Sequence, residues 1–319
     1  MIVRWGLDAL PRLLAELAVE RPFLVASARW SPPVEVVGVW REVPSDRIGD
    51  AVEAAAGADG LLALGGGSAI DLTKAISAQT GLPMVSVPTT YSGAEWTPSF
   101  GIRTRDRLGH GGGSGAHLAG IVYEPELTLG LPRAESVGTA LNALAHAAEA
   151  LYVQGRNAAG DREALAGAAL ISQWLPQVAA DGADLAARRG LLEGAMHAGA
   201  ALGASGLGLG HAMAQALGRL YGLPHGALNA ITLPAGLRFS EPAAGAEIAR
   251  LGEAMGTHDP IGRVEELARL GGFERLRDLA VPEDELDAVA EAVAVRAGAR
   301  ANPRPATPAE IADLLRSIW

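Results

Sequence analysis

The stretch that decides the fold reads Leu61-Leu62-Ala63-Leu64-Gly65-Gly66-Gly67-Ser68-Ala69-Ile70-Asp71-Leu72-Thr73-Lys74. An apolar run is followed by three glycines and then by residues at helical spacing, which predicts the order strand, turn, helix. Glycine lets the main chain approach a diphosphate, and the N–H groups and positive dipole end of the following helix attract its charge. We therefore expect Gly65, Gly66, Gly67 and Ser68 to bind a nucleotide, with Ser68 as the N-cap. A turn that only packs the helix on the strand is the alternative.

The sequence on either side of this turn alternates short apolar or β-branched runs with alanine-rich helical stretches. This is the pattern of an α/β domain, a parallel sheet covered by helices. The candidate strands are 23–27, 34–39, 60–64 and 84–88, and the candidate helices are 7–19, 44–56 and 68–80. The stretch 101–120 is predicted to be a mobile loop or a loose hairpin, and its glycines at 111–113, which follow no predicted strand, to be flexible.

The second half of the chain has a different texture. From Ala134 onward, Ala, Leu and charged residues recur at a spacing of about 3.6 residues with almost no strand signal, which predicts an all-helical region. We assign residues 1–133 to a dinucleotide-binding domain and 134–319 to a helical domain with the substrate or metal site. The segment 124–133, which contains two prolines, is the expected hinge, and a cleft between the halves is the expected ligand site.

A second loop carries hydroxyl groups directly after the predicted strand at 84–88. It reads Thr89-Thr90-Tyr91-Ser92-Gly93-Ala94-Glu95-Trp96. The hydroxyls of Thr89, Thr90 and Ser92 can hold a ribose, a phosphate or a bound carbonyl group. The alternative is that they only cap the next turn.

Three histidines stand out in the helical half. Asn142 and His146 are four residues apart and share one face of a predicted helix, and His211 and Gln215 repeat that spacing. His225 follows His211 by fourteen residues. These side chains can close around a divalent ion or a substrate, or can be satisfied core residues. His197 has no partner that the sequence indicates, and His110, His117 and His258, expected in loops, are unassigned.

Composition excludes several classes of function. A net charge of −10 and 4% aromatic residues argue against a nucleic-acid partner. The absence of cysteine excludes disulfides, a thiolate nucleophile and sulfur-ligated metals. The charge-free run 194–218 is too rich in glycine and polar residues for a bilayer and is expected to form packed helices. The first twenty residues lack a signal-peptide core, so we expect a cytoplasmic protein without a membrane partner.

Taken together, these segments resemble the iron-containing alcohol dehydrogenase superfamily, and within it most closely the maleylacetate reductases. The resemblance extends in order over almost the whole chain. The matching words are Gly65 to Lys74, Pro88 to Glu95, Tyr123 to Pro132, Leu141 to Tyr152, His211 to His225, and Asn302 to Pro305. It implies a Rossmann-like dinucleotide domain followed by a helical domain, hydride transfer to or from a carbonyl-type substrate, and a homodimer.

The resemblance also implies roles for individual residues. Cofactor contacts fall on the glycine turn, Asp71, Lys74, Thr89, Thr90 and Ser92. Metal-dependent members of the superfamily hold iron or zinc with one Asp and three His. Those positions are Asn142, His146, His211 and His225 here. An amide replaces the carboxylate, as in maleylacetate reductases, so we expect these four residues to be catalytic and a zinc or iron ion not to be required.

The choice of nucleotide depends on the residues after the strand at 23–27. A carboxylate there accepts the ribose hydroxyls of NAD and repels the extra phosphate of NADP. The chain reads Ala28-Arg29-Trp30 and has no acid before Glu35. We therefore expect NADPH to be accepted at least as well as NADH, with Arg29 as the phosphate partner.

The leading interpretation is an NAD(P)H-dependent reductase of a small keto or enol acid. Three alternatives stay open: a metal-dependent alcohol dehydrogenase or aldehyde reductase, a cyclase of the dehydroquinate synthase type, and a non-catalytic relative that binds a nucleotide. Metal analysis separates the first alternative from the leading interpretation. The chain's single lysine, Lys74, argues against the phosphate-bearing substrates of the cyclases.

Overall fold

A computed structural model describes the main chain of residues 1–319 and all side chains except that of residue 110, so the unassigned His110 lies outside the described side chains. The chain forms two compact units. Unit 1 comprises Met1–Thr90 and Ala94–Gly130, and unit 2 comprises Tyr91–Gly93 and Leu131–Trp319. Three residues of the hydroxyl-rich loop thus belong to unit 2, although they lie within the sequence of unit 1.

Unit 1 is built on a six-stranded sheet in which every pairing is parallel. Its strands are β1 (Ile2–Trp5), β2 (Pro22–Val25), β3 (Gly38–Trp40), β4 (Gly60–Gly65), β5 (Pro83–Pro88) and β8 (His117–Tyr123). Their order across the sheet is β1-β8-β5-β4-β2-β3. Two further strands, β6 (Phe100–Arg103) and β7 (Gly109–Gly113), pair with each other in an antiparallel hairpin.

Helices cover both faces of this sheet because successive strand residues point to opposite sides. On one side, Leu61 and Ala63 of β4 join a buried cluster with residues of α2 (Ile48–Ala54) and α3 (Gly67–Thr80). On the other side, Leu62 and Leu64 join a cluster with α1 (Leu10–Glu16). The α/β prediction for the first half is therefore confirmed.

Several predicted boundaries in unit 1 were wrong. The predicted strand at 34–39 is reduced to β3, and the predicted helix at 44–56 to α2. Residues 7–9 form a turn of 3-10 helix before α1 begins at Leu10, since Pro11 occupies the first turn. The strand β1 was missed because its apolar run is short and directly precedes the predicted helix at 7–19.

The stretch 101–120 was predicted to be a mobile loop or a loose hairpin, and the hairpin alternative is confirmed. It contains most of the β6–β7 hairpin and the start of β8, which was also missed. The glycines at 111–113 were predicted to be flexible, but they lie in β7 and pair with β6 residues up to Ile102. Glycine has low strand propensity, which weakened the strand signal of β7 in the sequence. His117, expected in a loop, is the first residue of β8.

Unit 2 is helical, as predicted. Its helices are α4 (Arg133–Ala150), α5 (Ala158–Ala180), α6 (Leu185–Ala204), α7 (Leu209–Tyr221), α8 (His225–Met255), α9 (Pro260–Arg269), α10 (Leu286–Ala294), α11 (Ala297–Ala301) and α12 (Pro308–Ser317). The charge-free run 194–218 is divided between α6 and α7. Within the described residues, no helix combines the length and apolar character that crossing a membrane requires.

Candidate functional site

The glycine turn connects β4 to α3 in unit 1. Gly66 is the N-cap and α3 begins at Gly67, so the prediction of Ser68 as N-cap was wrong and Ser68 lies inside the first turn. No side chain caps this helix. The first turn of a helix leaves N–H groups without intrahelical acceptors, and here they stay available to an anionic ligand.

Two threonines border this turn. The N–H of Thr89 donates to the carbonyl of Gly65 at 3.0 Å, so the loop after β5 lies beside the turn after β4. A Cβ atom on Gly66 would lie 2.8 Å from Cγ2 of Thr90, which shows how closely the two segments pack. Within the described part of the chain, the buried hydroxyls of Thr89 and Thr90 have no hydrogen-bond partner. Buried hydroxyls without partners beside a helix N-terminus fit a phosphate-bearing cofactor.

Asp71 and Lys74 contact protein groups in unit 1. The ammonium group of the buried Lys74 donates to Oδ1 of Asp71 at 3.1 Å and to the carbonyl of Ser99 at 2.8 Å. The other carboxylate oxygen of Asp71 accepts the N–H of Gly101 at 3.3 Å. These bonds tie the β6–β7 hairpin to α3. The cofactor roles that the family resemblance implies for Asp71 and Lys74 stay predictions.

Arg29 lies in the loop that follows β2. Its exposed guanidinium group is 4.7 Å from the centre of the Trp30 ring, so the cation is stacked and also accessible. A second guanidinium, that of Arg41, donates to the carbonyls of Ser27 at 3.1 Å and Trp30 at 2.5 Å. Arg41 shapes this loop, and sequence reasoning did not single it out.

A buried acid, Glu95, lies in the part of the hydroxyl-rich loop that belongs to unit 1. The hydroxyl of Tyr123 donates to Oε1 of Glu95 at 2.7 Å, and the indole N–H of Trp96 donates to that hydroxyl at 2.8 Å. The other oxygen, Oε2, has no partner among the described residues. Burial raises the pKa of Glu95, and the hydrogen bond from Tyr123 offsets part of that rise.

The three singled-out histidines lie together in unit 2. The rings of His146 and His211 are stacked, with centres 4.6 Å apart and an interplanar angle of 13°. The ring of His225 lies 5.9 Å from that of His211 at 50°. His146 comes from the C-terminal part of α4, His211 from the first turn of α7, and His225 is the first residue of α8. Gln215 lies one turn beyond His211 and is half-buried.

Glu149, which sequence reasoning did not assign to the site, orients His211. Its carboxylate is 0% exposed and accepts three hydrogen bonds at the N-terminus of α7. The donors are the N–H of Gly208 at 2.6 Å, the N–H of His211 at 3.1 Å and the ring Nδ1 of His211 at 2.7 Å. An ionised carboxylate only accepts, so Nδ1 carries the proton. Nε2 of His211 is buried and has no partner in the described region.

Asn142 is held in one orientation by its neighbours. Its Nδ2 donates to the carbonyl of Ser92 at 2.8 Å, and its Oδ1 accepts the Nδ2–H of Asn229 at 2.7 Å. Asn229 also donates to the carbonyl of His225 at 3.3 Å. The amide at 142 thus uses one of its two N–H donors and its carbonyl oxygen, and a carboxylate could not make the bond to Ser92.

The sequence contained a signal for Glu149 but none for Asn229. Glu149 lies seven residues after Asn142 and three after His146, so all three share one face of α4. Asn229 contacts Asn142 across 87 residues of chain, and no spacing rule indicates that pair. His197 does have a partner, since its Nδ1 lies 2.7 Å from Oε2 of Glu163.

The cluster can be compared with what a divalent ion needs. Among the residues that the structure describes, no three His, Asp or Glu side chains are arranged to hold a metal. The oxygen of Asn142 already accepts an N–H, and the rings of His146 and His211 are nearly parallel.

Comparison with known proteins relates both units to one family. The profile of the "Fe-containing alcohol dehydrogenase family, C-terminal" matches residues 136–319, and that of "Iron-containing alcohol dehydrogenase" matches residues 6–114. Maleylacetate reductase of Burkholderia cepacia is 37% identical over 264 residues, which are 82% of this chain and 74% of that protein.

Two solved structures extend the similarity over all of this chain. Maleylacetate reductase from Rhizobium sp. strain MTP-10005 has a TM-score of 0.89 at 31% identity, covering 100% of this chain and 95% of that one. A putative alcohol dehydrogenase from Ralstonia eutropha JMP134 has a TM-score of 0.90 at 33% identity, with the same coverage. The chain therefore belongs to the iron-containing alcohol dehydrogenase family and is an NAD(P)-dependent oxidoreductase.

Proposed function

We propose that this protein is an NAD(P)H-dependent reductase of the maleylacetate reductase type, acting on a small keto or enol acid. The observation that carries the proposal is the environment of Asn142. Its amide is bonded on both sides, to Ser92 and to Asn229, within a cluster of three histidines. Maleylacetate reductases are among the most similar relatives, which supports the choice of substrate class.

Unit 1 holds the nucleotide in this proposal. The diphosphate binds the N-terminus of α3 at Gly66, Gly67 and Ser68, and the hydroxyls of Thr89 and Thr90 complete its contacts. Arg29 accepts the extra phosphate of NADPH. When bound, the reduced nicotinamide supplies the hydride.

Unit 2 handles the proton and the substrate. Glu149 fixes the ring of His211 with Nδ1 protonated, so that Nε2 accepts or, in the imidazolium form, donates a proton. The carboxylate stabilises that imidazolium through the 2.7 Å contact. His146 and His225 bind the substrate's oxygens. Asn142 holds the histidine cluster in position through its hydrogen bonds to Ser92 and Asn229.

The proposed reaction does not require a metal. An aspartate gives a divalent ion a full charge, whereas an amide oxygen gives only a dipole. At Asn142 even that oxygen already accepts a hydrogen bond. The proton at His211 Nε2 replaces the Lewis acid as the group that neutralises the developing alkoxide.

A metal-dependent alcohol dehydrogenase or aldehyde reductase is the second candidate. It is favoured by the close approach of three imidazole rings and by the buried Nε2 of His211, which is a potential ligand atom. Elemental analysis of protein purified without added metal discriminates between the two. One tightly held ion per chain supports the second candidate, and a substoichiometric content supports the first.

The experiment that tests the proposal is a substrate screen. NADH and NADPH oxidation is followed with maleylacetate, with other small keto acids and with aldehydes lacking a carboxylate. The proposal predicts the highest kcat/KM with a keto or enol diacid, and NADPH at least as good as NADH. Arg29→Ala should raise KM for NADPH and leave KM for NADH unchanged. Turnover of simple aldehydes alone would overturn the substrate assignment.

A further inference from the structure

Arg188 of α6 is a buried cation without an acidic partner among the residues that the structure describes. The residue is 2% exposed, and its guanidinium group donates only to neutral oxygens. The acceptors are the carbonyl of Gly182 at 3.0 Å, the hydroxyl of Tyr91 at 3.1 Å, the hydroxyl of Ser136 at 2.8 Å and the carbonyl of Leu131 at 3.2 Å. Four of its five N–H donors are therefore used, and no carboxylate is among the acceptors.

Such an arrangement is costly. A charge taken out of water loses several kcal/mol of solvation, which neutral hydrogen bonds offset only in part. A methionine or leucine would fill the same space without that cost. We therefore expect the guanidinium group to have a role that an apolar side chain of the same size could not fill.

The hydrogen bonds of Arg188 connect the segments at which the chain enters unit 2. Tyr91 begins the segment Tyr91–Gly93, and Leu131 begins the second segment of unit 2. Ser136 lies in the first turn of α4, the helix that carries Asn142 and His146. One planar group thus holds the isolated segment and the start of α4 in a fixed relation, because its donors point in fixed directions.

From Tyr91 the contacts continue to the histidine cluster. The next residue, Ser92, accepts the Nδ2–H of Asn142 at 2.8 Å through its carbonyl. A Cβ atom on Gly93 would lie 3.4 Å from Nδ1 of His146 and 3.2 Å from the Cα atom of Gly199, so this backbone packs against the ring. Asn142 then leads through Asn229 to the carbonyl of His225.

We propose that Arg188 is a positioning residue for the histidine cluster, acting through Tyr91, Ser92 and Asn142. It holds the segment Tyr91–Gly93 so that the carbonyl of Ser92 fixes the Asn142 amide and the backbone of Gly93 fixes the His146 ring. The inference rests on the proposed function for its kinetic consequence. Its structural consequence, the placement of the His146 ring, is independent of any substrate.

The test compares Arg188→Met and Tyr91→Phe with a matched control, Arg189→Met. Arg189 is the neighbouring arginine on α6 and is exposed. Each protein is labelled at the histidine rings, and the imidazole resonances are recorded by NMR, with the His146 signals identified from a His146→Gln spectrum. Steady-state kcat, substrate KM and the NADH dissociation constant are measured on the same samples.

Both test variants should shift the His146 resonances and lower kcat on the order of tenfold to a hundredfold, because small displacements of catalytic groups are that costly. The NADH dissociation constant should be unchanged, and Arg189→Met should alter neither readout. If Arg188→Met does not fold, Tyr91→Phe decides, since it removes one hydroxyl only. Unshifted His146 resonances in a folded Tyr91→Phe variant would overturn the inference. If the wild-type enzyme reduces no keto acid, the proposed function fails, and the resonances alone decide the role of Arg188.

Discussion

Two glutamates are buried to the same degree in this protein and yet have different surroundings. Glu95 in unit 1 is 2% exposed and accepts the hydroxyl of Tyr123, while its second oxygen has no partner within the described residues. Glu149 in unit 2 is 0% exposed and has three N–H donors at the start of a helix. Because both carboxyl groups are buried, the hydrogen-bond donors around them determine the role of each.

This difference in hydrogen-bond donors indicates different roles for the two residues, in the reaction for Glu149 and in stability for Glu95. Donors around Glu149 match an ionised carboxylate, which can orient His211 and stabilise its imidazolium form. Glu95 lacks such donors, and burial raises its pKa. We infer that Glu149 takes part in proton transfer and that Glu95 mainly affects stability.

The largest expected effect follows from removing the charge of Glu149. Glu149→Gln turns an acceptor oxygen into an NH₂ group that faces the N–H donors of Gly208 and His211. We expect kcat to fall by about two to four orders of magnitude, as when a carboxylate that orients a catalytic histidine is replaced by an amide. NADH binding to the variant should be unchanged.

A matched control is Glu163→Gln. Glu163 also contacts a histidine Nδ1 at 2.7 Å, that of His197, but its side chain is 41% exposed. The kcat of the Glu163→Gln variant should equal that of the wild type. Equal losses in both variants would show that the contact between Glu149 and His211 has no special role.

The second-largest effect is expected in unit 1 and is limited to cofactor binding. Gly66→Val places a branched side chain against Thr90, where a Cβ atom would already lie 2.8 Å from Cγ2, and covers the N-terminus of α3. We expect NADH affinity to fall by at least about tenfold, because the diphosphate loses its approach to the backbone. Fluorescence titration measures this, with circular dichroism to confirm that the fold is retained. An unchanged affinity would remove the glycine turn from the cofactor site.

This turn and the histidine cluster also show what the sequence could predict. The order strand, turn, helix over residues 61–74 depends on neighbouring residues, and the structure has that order. The bond between Glu149 and His211 joins residues 62 positions apart, and the pairing of β1 with β8 joins Ile2 to Gly120. Such partners are determined by tertiary packing. Sequence spacing could therefore identify His146, His211 and His225 as candidate site residues but could not identify Asn229.

A smaller effect is expected at Asn142. Asn142→Asp replaces the Nδ2–H that donates to Ser92 with an oxygen, so two acceptors would face each other at 2.8 Å. The metal-free variant should lose about 1–3 kcal/mol of unfolding free energy, the usual cost of an unmade buried hydrogen bond. Added zinc should raise its Tm more than that of the wild type, since the charge strengthens any ion site. A variant as stable as the wild type without metal would contradict the assigned orientation of this amide.

The smallest effect concerns Glu95 and depends on pH. An acid whose folded pKa is raised contributes stability that is present below its unfolded pKa and is lost as pH rises through its folded pKa. The difference in unfolding free energy, Glu95→Gln minus wild type, should therefore increase as pH rises above about 4.5, the ordinary value for a glutamate. Urea unfolding at several pH values measures it, and a flat difference would show that Glu95 is ionised in the folded protein.

We infer that the cluster of His146, His211 and His225 supports hydride transfer to a keto acid without a metal ion. The most direct measurement is NADH oxidation with maleylacetate by enzyme treated with a strong chelator and checked by elemental analysis. We predict that kcat of the metal-free enzyme equals that of the untreated enzyme and that added zinc or iron does not increase it. Loss of activity on chelation, with recovery on adding one equivalent of either ion, would show that the enzyme requires a metal.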